Sequence, residues 1–293
     1  LYESKDSTGE VSIEALFVCS EKIYGKNPHQ LSDIAYLICR GGWPFAMAAG
    51  MSRKAALSQS ADYVDLVVEE DISRVDGISR NVERARAILR SYARFQGTQT
   101  PISQIRKDIL ANDSDTITDD TISSYLNALR QIFVIRDIAS WNPNIQSKTA
   151  IRTSPTRYFC DPSIATAAMR VGPEDLFGDL KTFGLLFETL CVRDLSVYAQ
   201  SLDGDIYHYR DSNGLECDAV MHLRNGKYGL IEIKLGGEKL ISEGSANLLK
   251  MASIIDTTRM PAPSFMMILT AVGDYAYRRE DGVYVVPIGC LRN

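Results

Sequence analysis

Three charged side chains in the last third of the sequence have the types and spacing of a metal-dependent hydrolytic site: Asp218, Glu232 and Lys234. They fall in two segments of alternating polarity, 215–223 and 228–235, which a short Arg-Asn-Gly-Lys turn joins into a predicted β-hairpin. Successive side chains of a strand point to opposite faces, so all three lie on the more polar faces of their strands. If the apolar faces align, the three side chains emerge together. Two carboxylates beside a lysine can hold a divalent cation such as Mg²⁺ and orient a water for phosphodiester hydrolysis.

A simpler interpretation of the same residues is a solvated strand face. Exposed faces of strands often carry charges, and the Glu232/Lys234 pair alone is more typical of surface decoration than of a site. A further carboxylate, Glu188, falls in a predicted helix over 181–198. It lies at the border of the apolar stripe of that helix, roughly 100° from Phe187. That position suits a carboxylate that faces a pocket, and it also suits a solvated one.

The elements that must position these residues follow in a definite order. The predicted helix over 181–198 precedes three strands, and a helix and two further strands come after them. The strands cover 205–210, 216–223 and 228–235, the helix covers 242–255, and the last strands cover 265–270 and 283–288. The order α-β-β-β-α-β predicts a mixed α/β domain built on one sheet.

An acidic helix, a hairpin whose first strand carries Asp218, and a Glu-x-Lys on the next strand resemble the PD-(D/E)XK nuclease superfamily. The resemblance implies a restriction-endonuclease-like core in which Glu188, Asp218 and Glu232 bind Mg²⁺ and Lys234 assists the attacking water. The sequence departs from the superfamily pattern at one position, where Cys217 replaces the proline before the aspartate. The aspartate is the member that the chemistry needs.

The middle of the chain predicts a winged helix-turn-helix. Helices are predicted over 82–95, 102–110 and 119–130, the last with Thr118 as its N-cap. A strand over 133–138 follows, and its return strand is predicted over 157–160, after the polar segment 142–156. The segment before this unit is predicted to be helical, with no strand of its own.

The first helix of that unit carries Arg86, Arg90 and Arg94 at i, i+4 and i+8, which places them in one stripe. Such a stripe could contact DNA phosphates, or it could be an ordinary solvated face. The predicted recognition helix argues against base reading, because Asp119 and Asp120 at its start would repel phosphates. Non-specific DNA contact and a protein-binding role are equally compatible with this pattern.

Several short motifs resemble a group of prokaryotic AAA-type ATPases that carry a C-terminal domain of unknown function. They are Leu1-Tyr2-Glu3-Ser4, the segment 6–12, Leu37-Ile38-Cys39-Arg40-Gly41-Gly42-Trp43-Pro44, Tyr158-Phe159-Cys160-Asp161-Pro162, Gly184-Leu185-Leu186-Phe187-Glu188, Glu216-Cys217-Asp218 and Glu232-Ile233-Lys234. The phosphate-binding loop of the family, Gly-x-x-x-x-Gly-Lys-Ser/Thr, is missing from this sequence. The resemblance therefore implies a C-terminal part that begins at the tail of an ATPase module, with ATP bound only by an N-terminal domain that this sequence lacks. The absence of an initial methionine fits that expectation.

Composition narrows the class of protein further. The chain has 293 residues, 45% of them hydrophobic and 24% charged, with a formal net charge of −5, so any DNA contact must come from a local patch. Six cysteines are scattered without a Cys-x-x-Cys pair, which argues against zinc and favours a reducing cytoplasm. The longest apolar run is too short for a membrane span, and no signal peptide is present, so we expect no membrane partner.

Together these observations predict three consecutive domains. They are a helical tail of an ATPase module over 1–75, a winged helix-turn-helix over 76–152, and a PD-(D/E)XK nuclease-like domain over 153–293. The predicted function is Mg²⁺-dependent hydrolysis of DNA phosphodiester bonds. The alternative is a non-catalytic DNA- or protein-binding module that retains the nuclease-like fold.

Overall fold

A computed structural model describes residues 1, 5–18, 23–48, 50–112, 116–143, 154–212 and 214–293, and it shows a mixed α+β protein. The helices are α1 Ile13–Phe17, α2 Leu31–Arg40, α3 Arg53–Leu66, α4 Ile72–Arg74, α5 Val82–Arg94, α6 Ile102–Asn112, α7 Asp119–Gln131, α8 Pro162–Met169, α9 Leu180–Ser201 and α10 Glu238–Ile254. A π-helical turn, Val67–Asp71, follows α3, and short 3-10 helices cover Phe45–Met47, Asp175–Gly178 and Ile288–Cys290. Among the described residues, no helix is both long enough and apolar enough to cross a membrane.

The strands are β1 Val11–Ser12, β2 Gly25–Lys26, β3 Ile135–Ile138, β4 Thr156–Phe159, β5 Gly204–Arg210, β6 Glu216–Leu223, β7 Tyr228–Lys234, β8 Phe265–Thr270, β9 Tyr275–Arg278, β10 Tyr284–Pro287 and β11 Leu291–Arg292. The predicted order of helix, three strands, helix and strand is confirmed by α9, β5 to β7, α10 and β8. Strand β9 is absent from the prediction.

The chain divides into two compact units, each built from separated segments. The sheet unit comprises Leu1–Ile34, Ile138–Thr153 and Leu190–Asn293, and the helical unit comprises Ala35–Asp137 and Ser154–Thr189. Neither unit coincides with one of the three consecutive predicted domains. The three-domain division stays a prediction, because compactness alone does not show which segments fold independently.

The helical unit contains the elements predicted for a winged helix. Asn81 and Thr118 cap α5 and α7, each accepting a hydrogen bond from a backbone N–H of the first turn, which otherwise lacks a partner. Strands β3 and β4 pair in a two-stranded sheet, and Thr98, after α5, forms an antiparallel bridge with Arg157 of β4. Most of the predicted polar segment 142–156 and most of the predicted turn 112–115 lie outside the described residues.

The Arg-Gly-Gly-Trp-Pro motif of the helical unit has a structural role. The carboxylate of Asp161 caps α8, and it also accepts the N–H of Gly42 at 2.9 Å. The indole N–H of Trp43 donates to Ser163 Oγ at 2.9 Å. Gly41 has φ +72°, and a Cβ there would stand 2.4 Å from Ser163 Oγ, so only glycine suits the position. The motif therefore anchors α2 to the start of α8, and the Gly42 N–H is already used.

The sheet unit is organised around a seven-stranded sheet in the described part of the chain. Its strand order is β2-β9-β10-β8-β7-β6-β5. Strands β7, β8 and β10 run parallel, whereas the hairpins β5–β6, β6–β7 and β9–β10 and the pair β2–β9 are antiparallel. Helix α10 packs on one face of this sheet, where Leu248 and Met251 join Leu230 and Ile268 in a buried apolar cluster.

The N-terminal segment corrects one prediction. It was expected to have no strands, yet β1 pairs in parallel with β11, and β2 adds an edge to the large sheet beside β9. Each of these strands has only two residues, too few for an alternating pattern in the sequence. Their partners lie at the other end of the chain, so only the folded sheet reveals them. Residues Tyr2, Glu3 and Ser4 of the first motif lie outside the described residues.

Candidate active site

The candidate site is built on the hairpin β6–β7, at an irregularity in the pairing of β6. Tyr207 of β5 pairs with Val220, and Tyr209 pairs with Cys217, so Asp218 and Ala219 face the single residue between the two tyrosines. This is a β-bulge, which bends a strand and re-aims its side chains. The regular β6–β7 pairing covers Ala219 to His222 of β6 and does not include Asp218, the residue that precedes Ala219. The bulge thereby frees Asp218 from the ladder and turns its carboxylate toward β7.

The Asp218 carboxylate accepts a hydrogen bond from a backbone N–H of β7, in place of the strand carbonyl that would accept it in a regular ladder. Its Oδ2 accepts the backbone N–H of Ile233 at 2.7 Å. The same oxygen lies 3.1 Å from Lys234 Nζ, and Glu232 Oε2 lies 2.6 Å from that ammonium. The structure therefore brings together the three side chains that the sequence singled out, with one ammonium in contact with both carboxylates. We call Asp218, Glu232 and Lys234 the carboxylate–lysine cluster.

The three side chains of the cluster differ in their exposure to solvent. The Glu232 side chain is 4% exposed, and those of Asp218 and Lys234 are 19% and 25% exposed. Glu232 is buried because α10 covers this part of the sheet. Strand alternation identifies which side chains share a face, but it does not show that a helix from later in the chain packs on that face.

Alternation also fails across the bulge. It places Cys217 and Val220 on opposite faces of β6, whereas both belong to the apolar cluster under α10. The single S–H of Cys217 has two backbone carbonyls within reach as acceptors, that of Ala219 at 3.3 Å and that of Ile231 at 3.4 Å. Burial raises the pKa of this thiol well above its ordinary value. Cys217, the departure from the superfamily pattern, is therefore an inert packing residue that occupies the irregular end of the ladder.

Burial and like charge set the electrostatics of the cluster. Burial, and then the neighbouring Asp218 carboxylate, raise the pKa of Glu232 from 4.5 to about 7, despite its contact with Lys234. Burial disfavours the Lys234 ammonium, yet its pKa is raised, because Asp218 and Glu232 stabilise the charge. One ammonium shared by two carboxylates leaves the cluster with an excess of negative charge when all three groups are ionised. A cation would relieve that excess.

Glu188 belongs to the helical unit, where its Oε1 accepts a hydrogen bond from the hydroxyl of Tyr158. Tyr158 opens the Tyr-Phe-Cys-Asp-Pro motif and Glu188 ends the Gly-Leu-Leu-Phe-Glu motif, so two of the recognised motifs contact each other there. The convergence of Glu188 with Asp218 and Glu232 stays a prediction. Within the described residues, no group of three or more His, Cys, Asp or Glu side chains is arranged to hold a metal ion.

The arginine stripe of α5 is engaged with acidic side chains of the helical unit. Arg86 contacts Asp65 at 2.6 Å and Glu69 at 3.1 Å, and Arg94 contacts Asp108 at 2.5 Å. Arg90 also takes part in an interaction. It lines two cavities of about 160 and 280 Å³, both below the size of typical small-molecule pockets, roughly 300–1,000 Å³. The stripe is therefore not a bare cationic surface.

One polar residue of the site, Asn247, could not be predicted from the pattern of the strands. Asn247 of α10 donates from Nδ2 to Glu232 Oε1 and to the backbone carbonyl of Glu216, both at 2.6 Å. In the sequence it is an isolated asparagine in a helix, and only the packing of α10 on the sheet brings it to the site.

Two regions of the chain match known protein families. Residues 31–175 match a family described as a domain of unknown function, DUF8612. Residues 183–291 match a second domain of unknown function, DUF4143, which is typically found in the C-terminal part of AAA-ATPase-like proteins. No curated protein matches the chain. The DUF4143 match contains the whole carboxylate–lysine cluster, and the DUF8612 match contains the arginine stripe.

Proposed function

We propose that this protein is a Mg²⁺-dependent nuclease that hydrolyses DNA phosphodiester bonds at the carboxylate–lysine cluster. The observation that carries the proposal is the contact of one ammonium with both Asp218 Oδ2 and Glu232 Oε2. A buried carboxylate is expensive to place beside a second, partly buried one, and the raised pKa of Glu232 is the sign of that cost. Such an arrangement is typical of functional sites.

The donor set suits Mg²⁺. Mg²⁺ prefers oxygen ligands and is usually held by one or two carboxylates, with waters and substrate phosphate oxygens completing its coordination. Asp218 and Glu232 would hold the ion, and Glu188 is the predicted third carboxylate. When bound, the ion would supply Lewis acidity and lower the pKa of a coordinated water.

The residues of the chain have separate tasks in this proposal. The N–H of Ile233 holds Asp218 in place from the backbone. The Lys234 ammonium is fixed between two carboxylates at the edge of the buried region, where it can orient a water or stabilise negative charge developing on a phosphate. Glu232 and Lys234 are held by the pairing of β7 with β8, and Asp218 is held by the Ile233 N–H, so the backbone positions all three side chains before substrate arrives.

DNA contact is proposed for the stripe of Arg86, Arg90 and Arg94. The acidic partners of Arg86 and Arg94 are at least partly exposed, so phosphates could compete for these guanidinium groups at low salt. Replacing all three arginines by Ala should weaken binding to all sequences alike, and the loss should shrink as salt rises. A preference for particular sequences that disappears in the triple variant would contradict the non-specific role.

A module that retains the fold without chemistry is the second candidate. It is favoured by the ion pairs within the cluster, since the Lys234 ammonium contacts both carboxylates and can neutralise part of their charge. Association with an AAA-type ATPase module fits either candidate. We expect this chain to bind no ATP, because its sequence lacks the Gly-x-x-x-x-Gly-Lys-Ser/Thr loop that cradles phosphates.

The decisive experiment combines metal titration by calorimetry with plasmid nicking. We expect Mg²⁺ binding at millimolar concentration or tighter, and nicking that EDTA stops. Asp218→Ala and Lys234→Ala should each abolish nicking while circular dichroism shows a folded protein. Glu216→Gln is the matched control, because this exposed carboxylate of the same strand pairs with Arg210, outside the cluster. No metal binding and no nicking by the unmodified protein would replace the nuclease proposal with the binding-module candidate.

A further inference from the structure

Asn247 lies on α10 near the point where the helix approaches the sheet closely over Glu232. Gly244 precedes it by one helical turn, and a Cβ on that glycine would stand 3.6 Å from both Glu232 Cβ and Ile268 Cδ1. The backbone of α10 therefore runs almost in contact with the strand that carries the acidic side chain. Asn247, three residues further along, is at the same face of the helix and can reach the carboxylate.

The Asn247 amide is held by two acceptors. Its two N–H protons point to Glu232 Oε1 and to the Glu216 carbonyl, each at a donor–acceptor distance of 2.6 Å. An amide group has two donor hydrogens, so both are used. The orientation of the side chain is fixed by these bonds, because its carbonyl oxygen could not face two acceptors.

These two bonds connect the two strands of the site. The Glu216 carbonyl belongs to β6 and directly precedes the segment that bulges at Asp218, whereas Glu232 belongs to β7. Regular pairing of β6 with β7 ends at Ala219, so the backbone ladder does not secure this end of the hairpin. The Asn247 amide therefore connects β6 to β7 at the end of the hairpin where Asp218 and Glu232 must stay close together.

Because Asn247 binds one oxygen of the Glu232 carboxylate, the two oxygens have different partners. Oε1 accepts from Asn247, and Oε2 accepts from Lys234. A buried carboxylate with a partner on one oxygen only could rotate toward the ammonium and close the space beside Asp218. With both oxygens engaged, the plane of the carboxylate is set.

We infer that Asn247 is a positioning residue of the proposed nuclease site: it orients Glu232 and joins β6 to β7, and thereby prepares the two carboxylates for a divalent cation. This inference rests on the proposed function. Residues that orient metal ligands in this way typically change metal affinity or activity by about 10- to 100-fold when they are replaced.

The test measures Mg²⁺ and Mn²⁺ binding by calorimetry on the full chain, together with thermal unfolding and nicking. Asn247→Ala should weaken Mg²⁺ binding by about 10-fold or more, raise the Mg²⁺ concentration that half-activates nicking by a similar factor, and leave KM for DNA unchanged. Asn247→Gln, which keeps the amide donors, should recover part of the affinity. Ser242→Ala is the matched control, because it removes an exposed hydrogen bond of the same helix to Glu238.

Asn247→Leu keeps a side chain of similar shape and carries the same test if the alanine variant does not fold. Mg²⁺ affinity within a factor of two of the unmodified protein in a folded Asn247 variant would overturn the inference while leaving the nuclease proposal in place. A lower unfolding temperature with unchanged metal affinity would do the same, since it would indicate a structural role only. If the unmodified protein neither binds metal nor nicks DNA, the nuclease proposal fails first, and this inference fails with it.

Discussion

The carboxylate–lysine cluster and the arginine stripe are both sets of ion pairs, but they differ in how much water reaches them. In the cluster, one ammonium serves two carboxylates, and Glu232 is 4% exposed. In the stripe, the acidic partners of Arg86 are 55% and 57% exposed. Water can replace a lost partner in the stripe, whereas in the cluster a lost partner leaves a buried charge without compensation.

This difference in exposure is consistent with the different roles proposed for the two regions. An exposed ion pair contributes little free energy and exchanges its partner easily, which suits transient contact with phosphates. A buried cluster with an excess of negative charge costs stability, and the rest of the sheet must offset that cost. We interpret the cluster as the site of chemistry and the stripe, at most, as a surface for docking.

The largest expected difference concerns Lys234. Lys234→Met leaves two partly buried carboxylates facing each other, and it should lower the free energy of unfolding by about 3 kcal/mol at pH 8. This is the lower end of the range for breaking a buried pair, because the lysine is 25% exposed. Arg86→Met, the matched change in the stripe, should cost less than about 1 kcal/mol. Urea unfolding of both variants gives the comparison.

A second change tests the cause of that loss. Adding Glu232→Leu to Lys234→Met removes the more buried of the two carboxylates and their mutual repulsion, and it should restore part of the stability, because apolar replacements of buried ion pairs are often neutral or stabilising. Equal destabilisation by Lys234→Met and Arg86→Met would show that water compensates a lost partner equally well in both regions. It would contradict the proposed difference between the cluster and the stripe.

The next effect is the pH dependence of metal binding. Because the pKa of Glu232 is raised to about 7, a metal must displace a proton from this carboxylate at lower pH. Mg²⁺ affinity should rise by up to about tenfold per pH unit toward pH 7 and level off above it. Calorimetry at pH 6, 7 and 8 measures this. An affinity that is constant over that range would show that Glu232 is already ionised or is not a ligand.

Whereas Mg²⁺ affinity should rise with pH, the stability of the folded protein should fall as pH rises. Between pH 4.5 and about 7 the unfolded chain has an ionised glutamate at position 232, while the folded chain keeps it protonated. The folded state then binds more protons, so the free energy of unfolding should fall as pH rises, by at most about 1.4 kcal/mol per unit. Glu232→Gln should flatten that fall. The same slope in the Gln variant would assign the effect to another group.

The smallest effect concerns the stripe. Asp65→Asn together with Glu69→Gln removes both acidic partners of Arg86. The freed guanidinium should steepen the slope of log affinity for DNA against log salt by about 0.9, the value for one additional phosphate contact. Fluorescence anisotropy over a range of salt concentrations measures the slope. An unchanged slope would indicate that Arg86 does not contact DNA phosphates.

The secondary structure could be predicted where periodicity and caps act over a few residues. The hairpin β6–β7, the helices α5 and α7 and the Thr118 cap lie where the sequence places them, within one or two residues. Helix α10 begins at Glu238, four residues before its predicted start, because Gly236 and Gly237 with positive φ turn the chain directly into the helix without a capping side chain. Strand β9 was not predicted, since its four residues become a strand by pairing with β10.

For this protein, the sequence alone determined the order of elements and the identity of the three clustered charges, because strand alternation and helix periodicity are local properties of the backbone. Only the tertiary structure decided how these charges are used. The bulge at Asp218 and Ala219 redirects a carboxylate, α10 buries Glu232, and Asn247 reaches it from a helix that follows in the chain. Burial and hydrogen-bond partners come from elements distant in sequence, and they decide whether a strand carboxylate is solvated or poised for chemistry.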